Sequence, residues 1–337
     1  MLSRMLVICF VLLISGCSKD NSPKTQVIVN PEPEPEPEKQ NLLNLTNVQA
    51  LSATPFEIAA TSIIFEGKLY VVGGVNTYAY DFSLDEWELI YEPVASSLNH
   101  AWFRTDISFL RDGRWFVYGN NGLWSFSFVD KEWVLEHETE DGKGLYFPIG
   151  KYIDDTLYLF DMSDRTDVIY TYNFDSHQLI EYGSFDNPGF WGKIGMPIFE
   201  IGSELYYLHL VGGGRDYNEV TAYKISNDFK SMDVLATQRI EKKLVDGSAF
   251  LYDGKIIFGL GGEVSGDGNG NITYLSMNDS FNYYDPQTNA FYEMPDTFYE
   301  GRRYALPVTN ATEVYLLSGL TYINDEPVYR KTMDNLT

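Results

Sequence analysis

The chain has 337 residues, of which 44% are hydrophobic and 15% aromatic, and its 24 basic against 48 acidic residues give a formal net charge of -24. Such a surface repels phosphate backbones and anionic headgroups, which argues against nucleic-acid binding and against peripheral adsorption to membranes. Both cysteines, Cys9 and Cys17, lie at the extreme N-terminus, so the rest of the chain has no disulfide, thiolate metal site or cysteine nucleophile.

Residues 1–16 read as a secretory leader: Arg4 supplies the basic start, Met5 to Ile14 the apolar run, and Ser15 and Gly16 the small residues. The run is too short for a membrane span. Ile14-Ser15-Gly16-Cys17 resembles the lipobox of bacterial lipoproteins. That resemblance implies cleavage before Cys17, a diacylglycerol on its sulfur and further acylation of the palmitate type. Ser18, in place of an aspartate, favours the outer membrane and leaves the leaflet open, periplasmic or surface-exposed. Residues 17–43 then form the lipidated N-terminus and a linker, within which Pro31 to Glu38 reads PEPEPEPE. Fixed proline φ and repelling glutamates predict an extended spacer of about 3 Å per residue.

From residue 44 to 337 one unit recurs, the sign of a solenoid or propeller. The clearest copy holds Gly67 to Gly74, Tyr78 to Phe82 and Asp85 to Trp87. The second runs through Asp112 to Gly119, Leu123 to Phe126 and Lys131 to Trp133; the third through Thr156 to Phe160, Ile169 to Tyr172 and Gln178 to Ile180. The fourth has Ser203 to Tyr207, Gly212-Gly213 and Val220 to Tyr223. The fifth has Asp253 to Phe258, Gly261-Gly262 and Phe281 to Pro286, and the sixth Thr312 to Gly319 and Val328-Tyr329. An apolar strand ending in a glycine pair, a tyrosine-aspartate strand and a downstream tryptophan resemble the Kelch repeat. The resemblance implies an all-β fold, a six-bladed propeller with four-stranded antiparallel blades around a channel. Blade six runs out of chain after three strands, so Leu45 to Ala50 is expected to supply its outermost strand and to cover the free ladder edge.

Kelch propellers bind ligands on the face made by the segments leading into each blade and by the loops after the glycine pairs. That resemblance makes Trp102, Arg104, Trp191, Arg215, Arg302 and Arg303 candidate ligand-binding residues. Arginine forks match carboxylates, and tryptophans stack on sugar faces or seal blades. Arg302 and Arg104 are expected to present charge to an anionic sugar, although pairing of each arginine with a neighbouring acid is the alternative. His100 and Glu263 are the candidate acid/base groups. His137, His177 and His209 are scattered over other repeats.

Gly266 to Asn271 begins like a calcium loop, but Ile272 stands where glycine is required and Asn278 where a closing glutamate is required. No metal site is expected, and the segment reads as a flexible loop or lid interrupting blade five. No phosphate loop, G-x-S-x-G elbow or HExxH helix points to a cofactor or an enzyme class. Galactose oxidase, a Kelch enzyme with a cysteine-tyrosine crosslink, is ruled out by the missing cysteine. The expected function is a binding or scaffold module for a glycan, an anionic sugar or a partner protein. The alternative is a sugar isomerase resembling the bacterial sialic acid mutarotases. Membrane attachment is expected through the N-terminal lipid alone.

Overall fold

The computed structural model describes residues 40–93, 107–119, 122–138, 149–160, 168–184, 197–211, 218–266, 272–298, 300–323 and 326–337. Cys17, the leader and the Pro/Glu spacer lie outside them. Among the described residues all regular structure is β, arranged as six four-stranded antiparallel sheets and two separate hairpins. The fold is a six-bladed propeller.

From inner to outer strand, blade one comprises Ala59–Phe65, Lys68–Gly73, Asn76–Asp81 and Glu86–Tyr91. Blade two comprises Ser108–Arg111, Arg114–Gly119, Gly122–Ser127 and Glu132–Glu138. Blade three comprises Ile149–Ile153, Thr156–Phe160, Val168–Asn173 and Gln178–Ser184. Blade four comprises Phe199–Ile201, Glu204–Val211, Asn218–Ile225 and Met232–Ile240. Blade five comprises Ser248–Tyr252, Lys255–Gly259, Ser280–Asp285 and Ala290–Thr297. Blade six takes Leu306–Asn310, Glu313–Leu317 and Met333–Asn335 from the end of the chain and Gln49–Ala50 from its start.

Local chemistry sets these hairpins. The first turns of blades one, two and five carry Glu66-Gly67, Asp112-Gly113 and Asp253-Gly254, with φ positive at both positions, as tight two-residue hairpins require. The turns before the outer strands carry positive φ at Asp85, Lys131, His177 and Asn289, each five residues after the last ring of the third strand. Where that ring is a tyrosine it grips the turn: Tyr80 donates to Asp85 at 2.6 Å, Tyr284 to Asn289 at 2.7 Å, and Tyr172 lies 3.2 Å from His177 Nδ1.

The same turns fasten each blade to the one before it. Asp85 Oδ1 accepts from the Ser52 amide at 2.9 Å, and Asn289 Nδ2 donates to the Leu235 carbonyl at 3.2 Å. His137 Nδ1 lies 3.1 Å from the His177 carbonyl, and Lys131 lies 3.6 Å from Glu88. In blade four Phe229 stacks on Tyr158 of blade three with centroids 4.1 Å apart. Phe128 stacks likewise on Phe65 of blade one at 4.0 Å. Phe229 is buried, and full burial of such a ring contributes about 1.5–3 kcal/mol. Outer strands stay distinct from foreign edges by a repeated irregularity. In every blade whose third and fourth strands are continuous, their register shifts, at Thr77/Tyr78, Leu123/Trp124, Ile169/Tyr170, Ala222/Tyr223 and Ser280/Asn282. Such bulges twist the edge away from pairing.

Ring closure follows the expected scheme, with a shorter strand. Only Gln49 and Ala50 pair, with Asn335 and Asp334, while Leu43 and Leu45 are buried against Met294, Phe298 and Leu336. One expectation needs correction. Val328-Tyr329 is not the third strand of blade six; it belongs to a separate hairpin of Leu320–Ile323 with Glu326–Tyr329. Pro327 lacks the N–H that a central ladder position needs, whereas Met333 is fully buried and fills that place. The insertion in blade five is likewise a hairpin, Gly262–Gly266 with Ile272–Met277, which bounds the segment expected to be a flexible loop. Its tip, residues 267–271, lies outside the described residues.

Candidate functional site at the mouth

Both extra hairpins stand between the second and third strands of their blades, so they rise on the face where the chain also passes from one blade to the next. Here the glycine pairs let backbones touch. A Cβ on Gly261 would stand 2.6 Å from the Val245 carbonyl, and one on Gly247 2.6 Å from the Gly259 carbonyl. No side chain fits at either place.

The close approach creates a collar of backbone hydrogen bonds across blades five, six and one. Gly262 donates to Val245 at 3.0 Å, Gly261 to Arg302 at 2.6 Å and Tyr304 to Asp246 at 3.0 Å. Leu320 donates to Arg303 at 2.8 Å, Gly319 to Glu57 at 3.4 Å and Gly74 to Ile58 at 3.3 Å. Four non-glycine collar residues hold left-handed backbone: Asp246 (φ 56), Leu260 (φ 57), Tyr304 (φ 60) and Ser318 (φ 50). Residues in this region cost of order 1–3 kcal/mol and persist only where surroundings over-determine them, often at binding sites.

Charged side chains fill the collar. Arg303 forms an ion pair with Asp246 and lies over the Tyr304 ring, 5.3 Å from its centroid. Arg302 Nη1 meets Asp334 at 2.7 Å and Thr332 at 2.8 Å, and Arg302 Nε lies 3.5 Å from Glu300. Glu300 in turn takes both forks of Arg330, whose Nε stands 2.9 and 2.8 Å from its two oxygens. The arginines do not alternate along a regular strand, as their adjacency suggests. Arg303 sits in an isolated bridge to Leu320, and both side chains are buried and ion-paired. A carboxylate on each side pulls both inward, so Arg302 offers no face to solvent in this arrangement.

Glu263 pairs with Lys243 on the segment leading into blade five. The arginine and the carboxylate expected to converge on one sugar are thus committed to separate partners. His100, Trp102, Arg104, Trp191 and Arg215 lie outside the described residues. Glu300, Arg330 and Asp334 join the collar without having been expected there, and Lys243 stands beside it with Glu263. Glu300-Gly301-Arg302-Arg303 carried a signal for the first, because an acid two residues from an arginine can pair with it. Among the described residues no group of histidines, cysteines and acids has metal-binding geometry. His209, on the second strand of blade four, is buried, and desolvation holds its imidazole down at about 4.

No family model matches the chain, and no curated protein matches it. Solved structures do: 393 chains match, a breadth that belongs to a fold and not to one activity. Among them the structure of YjhT covers 83% of this chain and 99% of its own length, with 13% identity and a TM-score of 0.53. That likeness shows the propeller fold alone.

Proposed function

We propose that this chain is a lipid-anchored Kelch-type propeller of the bacterial cell envelope whose mouth binds a ligand, a glycan or a partner protein. The observation that carries the reading is the collar. Four strained non-glycine residues, two buried arginines and two inserted hairpins gather on one face of blades five and six. Sheet formation does not need the inserted hairpins, since blades one to three form their sheets without one among the described residues. The lipobox and the Pro/Glu spacer support a role held away from a membrane, with that face free to meet a soluble or surface partner. Asp246, with its side chain 24% exposed beside Arg303, and the Tyr304 ring are the groups through which the collar meets a ligand. A glycan array carrying neutral and acidic sugars, probed with the purified protein and with Asp246→Asn, tests the proposal. Binding that the variant loses supports it; binding that the variant retains in full places the ligand elsewhere.

A further inference from the structure

We infer that a second binding site, for a neutral polyhydroxylated molecule the size of one sugar ring, lies beside the mouth on the flank of the blade-five hairpin. A cleft of about 360 Å³ opens there between Glu241, Lys242 and Lys243 on one side and Glu263, Ser276 and Met277 of the hairpin on the other. Such a volume is at the lower end for small-ligand sites. Asn278 forms its floor and is held rigid: its amide donates to the Leu260 and Ser280 carbonyls at 3.2 and 3.3 Å, and its oxygen accepts from Ser280 N and Oγ at 3.1 and 2.8 Å. A floor fixed in advance lowers the ordering cost of binding.

The lining selects the ligand class. Lys243 pairs with Glu263, Lys242 pairs with Asp279 at 3.1 Å just beyond the lining, and Glu241 adds a further carboxylate, so the cleft holds no surplus of positive charge. An anion entering it would face two carboxylates, and a cation two ammonium groups. Lys243 and Glu263 already pair, with side chains 19% and 33% exposed. That contact uses one of three ammonium donors and one of about four carboxylate acceptor positions. The remainder presents a donor and an acceptor side by side. Vicinal hydroxyls match that pattern, because each hydroxyl accepts from the lysine and donates to the glutamate. Ser276 adds an exposed hydroxyl, and half-buried Met277 adds a soft apolar wall for the C–H face of a ring.

Calorimetric titration of the full chain with glucose, galactose and mannose tests this. At least one should bind, and Lys243→Met and Glu263→Gln should each weaken it by about tenfold or more, with circular dichroism and Tm near those of the parent. Asp246→Asn should leave this affinity unchanged. Absence of binding by all three sugars, or affinity that survives both cleft variants, overturns the inference. The mouth reading stands or falls separately, on whether Asp246→Asn abolishes array binding.

Discussion

The Arg302 guanidinium and the Asp334 carboxylate meet at 2.7 Å with 0% and 1% of their side chains exposed. Asp334 lies on the strand of blade six that pairs with Ala50, so this ion pair joins the segment leading into the blade to the strand on which the ring closes. Removing one partner of a buried pair leaves an uncompensated charge and costs about 3–5 kcal/mol. Arg302→Ala is therefore expected to lower Tm by on the order of ten degrees. The double variant Arg302→Met with Asp334→Leu should recover much of that loss, because apolar groups of similar volume replace the pair without desolvating a charge. Thermal unfolding followed by circular dichroism reads both, and an unchanged Tm for Arg302→Ala would show that the pair contributes nothing.

Closure itself makes a second prediction. Deletion of residues 18–40 removes only the spacer and should leave Tm almost unchanged. Deletion through Ala50 removes the Gln49 and Ala50 pairing, the Asn44 amide bond to Leu336 at 2.7 Å, and the buried Leu43 and Leu45. The two leucines alone account for about 3–6 kcal/mol of burial, so the longer truncation should melt many degrees lower. Equal melting of the two would remove the case for N-terminal closure.

Blade order was legible in the sequence because glycine pairs and tyrosine-aspartate strands are local requirements of turns and close approach. Gly67, Gly73-Gly74, Tyr80 and Asp85 each answer to a neighbour only a few residues away or to the adjacent strand. Blade six was harder to read. Val328-Tyr329 has the apolar, β-branched and aromatic character of a strand, whereas Met333-Asp334-Asn335 carries one apolar residue in three. What places the latter in the blade is Asp334 pairing with Arg302, thirty-two residues away, and no local pattern encodes that partnership. For the same reason the arginines read as ligand contacts: a sequence shows a charge but not the acid that will enclose it.

The proposed membrane attachment rests on the resemblance of Ile14 to Cys17 to a lipobox and has its own test. Cys17→Ala removes the sulfur that would carry the diacylglycerol and should move the protein from the membrane fraction into the soluble fraction. An acidic chain has little electrostatic affinity of its own for anionic lipid. If the variant sediments with membranes as the parent does, anchoring through Cys17 is wrong.

His209 provides the pH dependence. Its imidazole lies on the second strand of blade four with 6% of its surface exposed, among Tyr207 and Tyr223. Desolvation lowers its pKa from 6.5 to about 4. In the unfolded chain the ring takes up its proton as pH falls below about 6.5, while in the folded chain it stays neutral until about 4. Between those values the unfolded state binds more protons, so stability falls with pH. The loss from this group is about 2 kcal/mol by pH 5 and on the order of 3 kcal/mol once pH is below 4. Asp81 and Asp85, whose hydrogen-bonded carboxylates titrate below the ordinary aspartate value, withdraw their stabilisation only at still lower pH. Among the groups with shifted pKa values, His209 spans the interval from 6.5 to 4, and Glu204, held down by Lys224 and Tyr206, enters only from its ordinary 4.5 downward. Urea midpoints for the parent should drop between pH 7 and pH 5, and His209→Gln, neutral throughout, should flatten that drop by about 2 kcal/mol. A parent and variant with parallel pH profiles would mean that the buried ring is protonated at the same pH in both states, and that the aromatic enclosure does not keep its charge out.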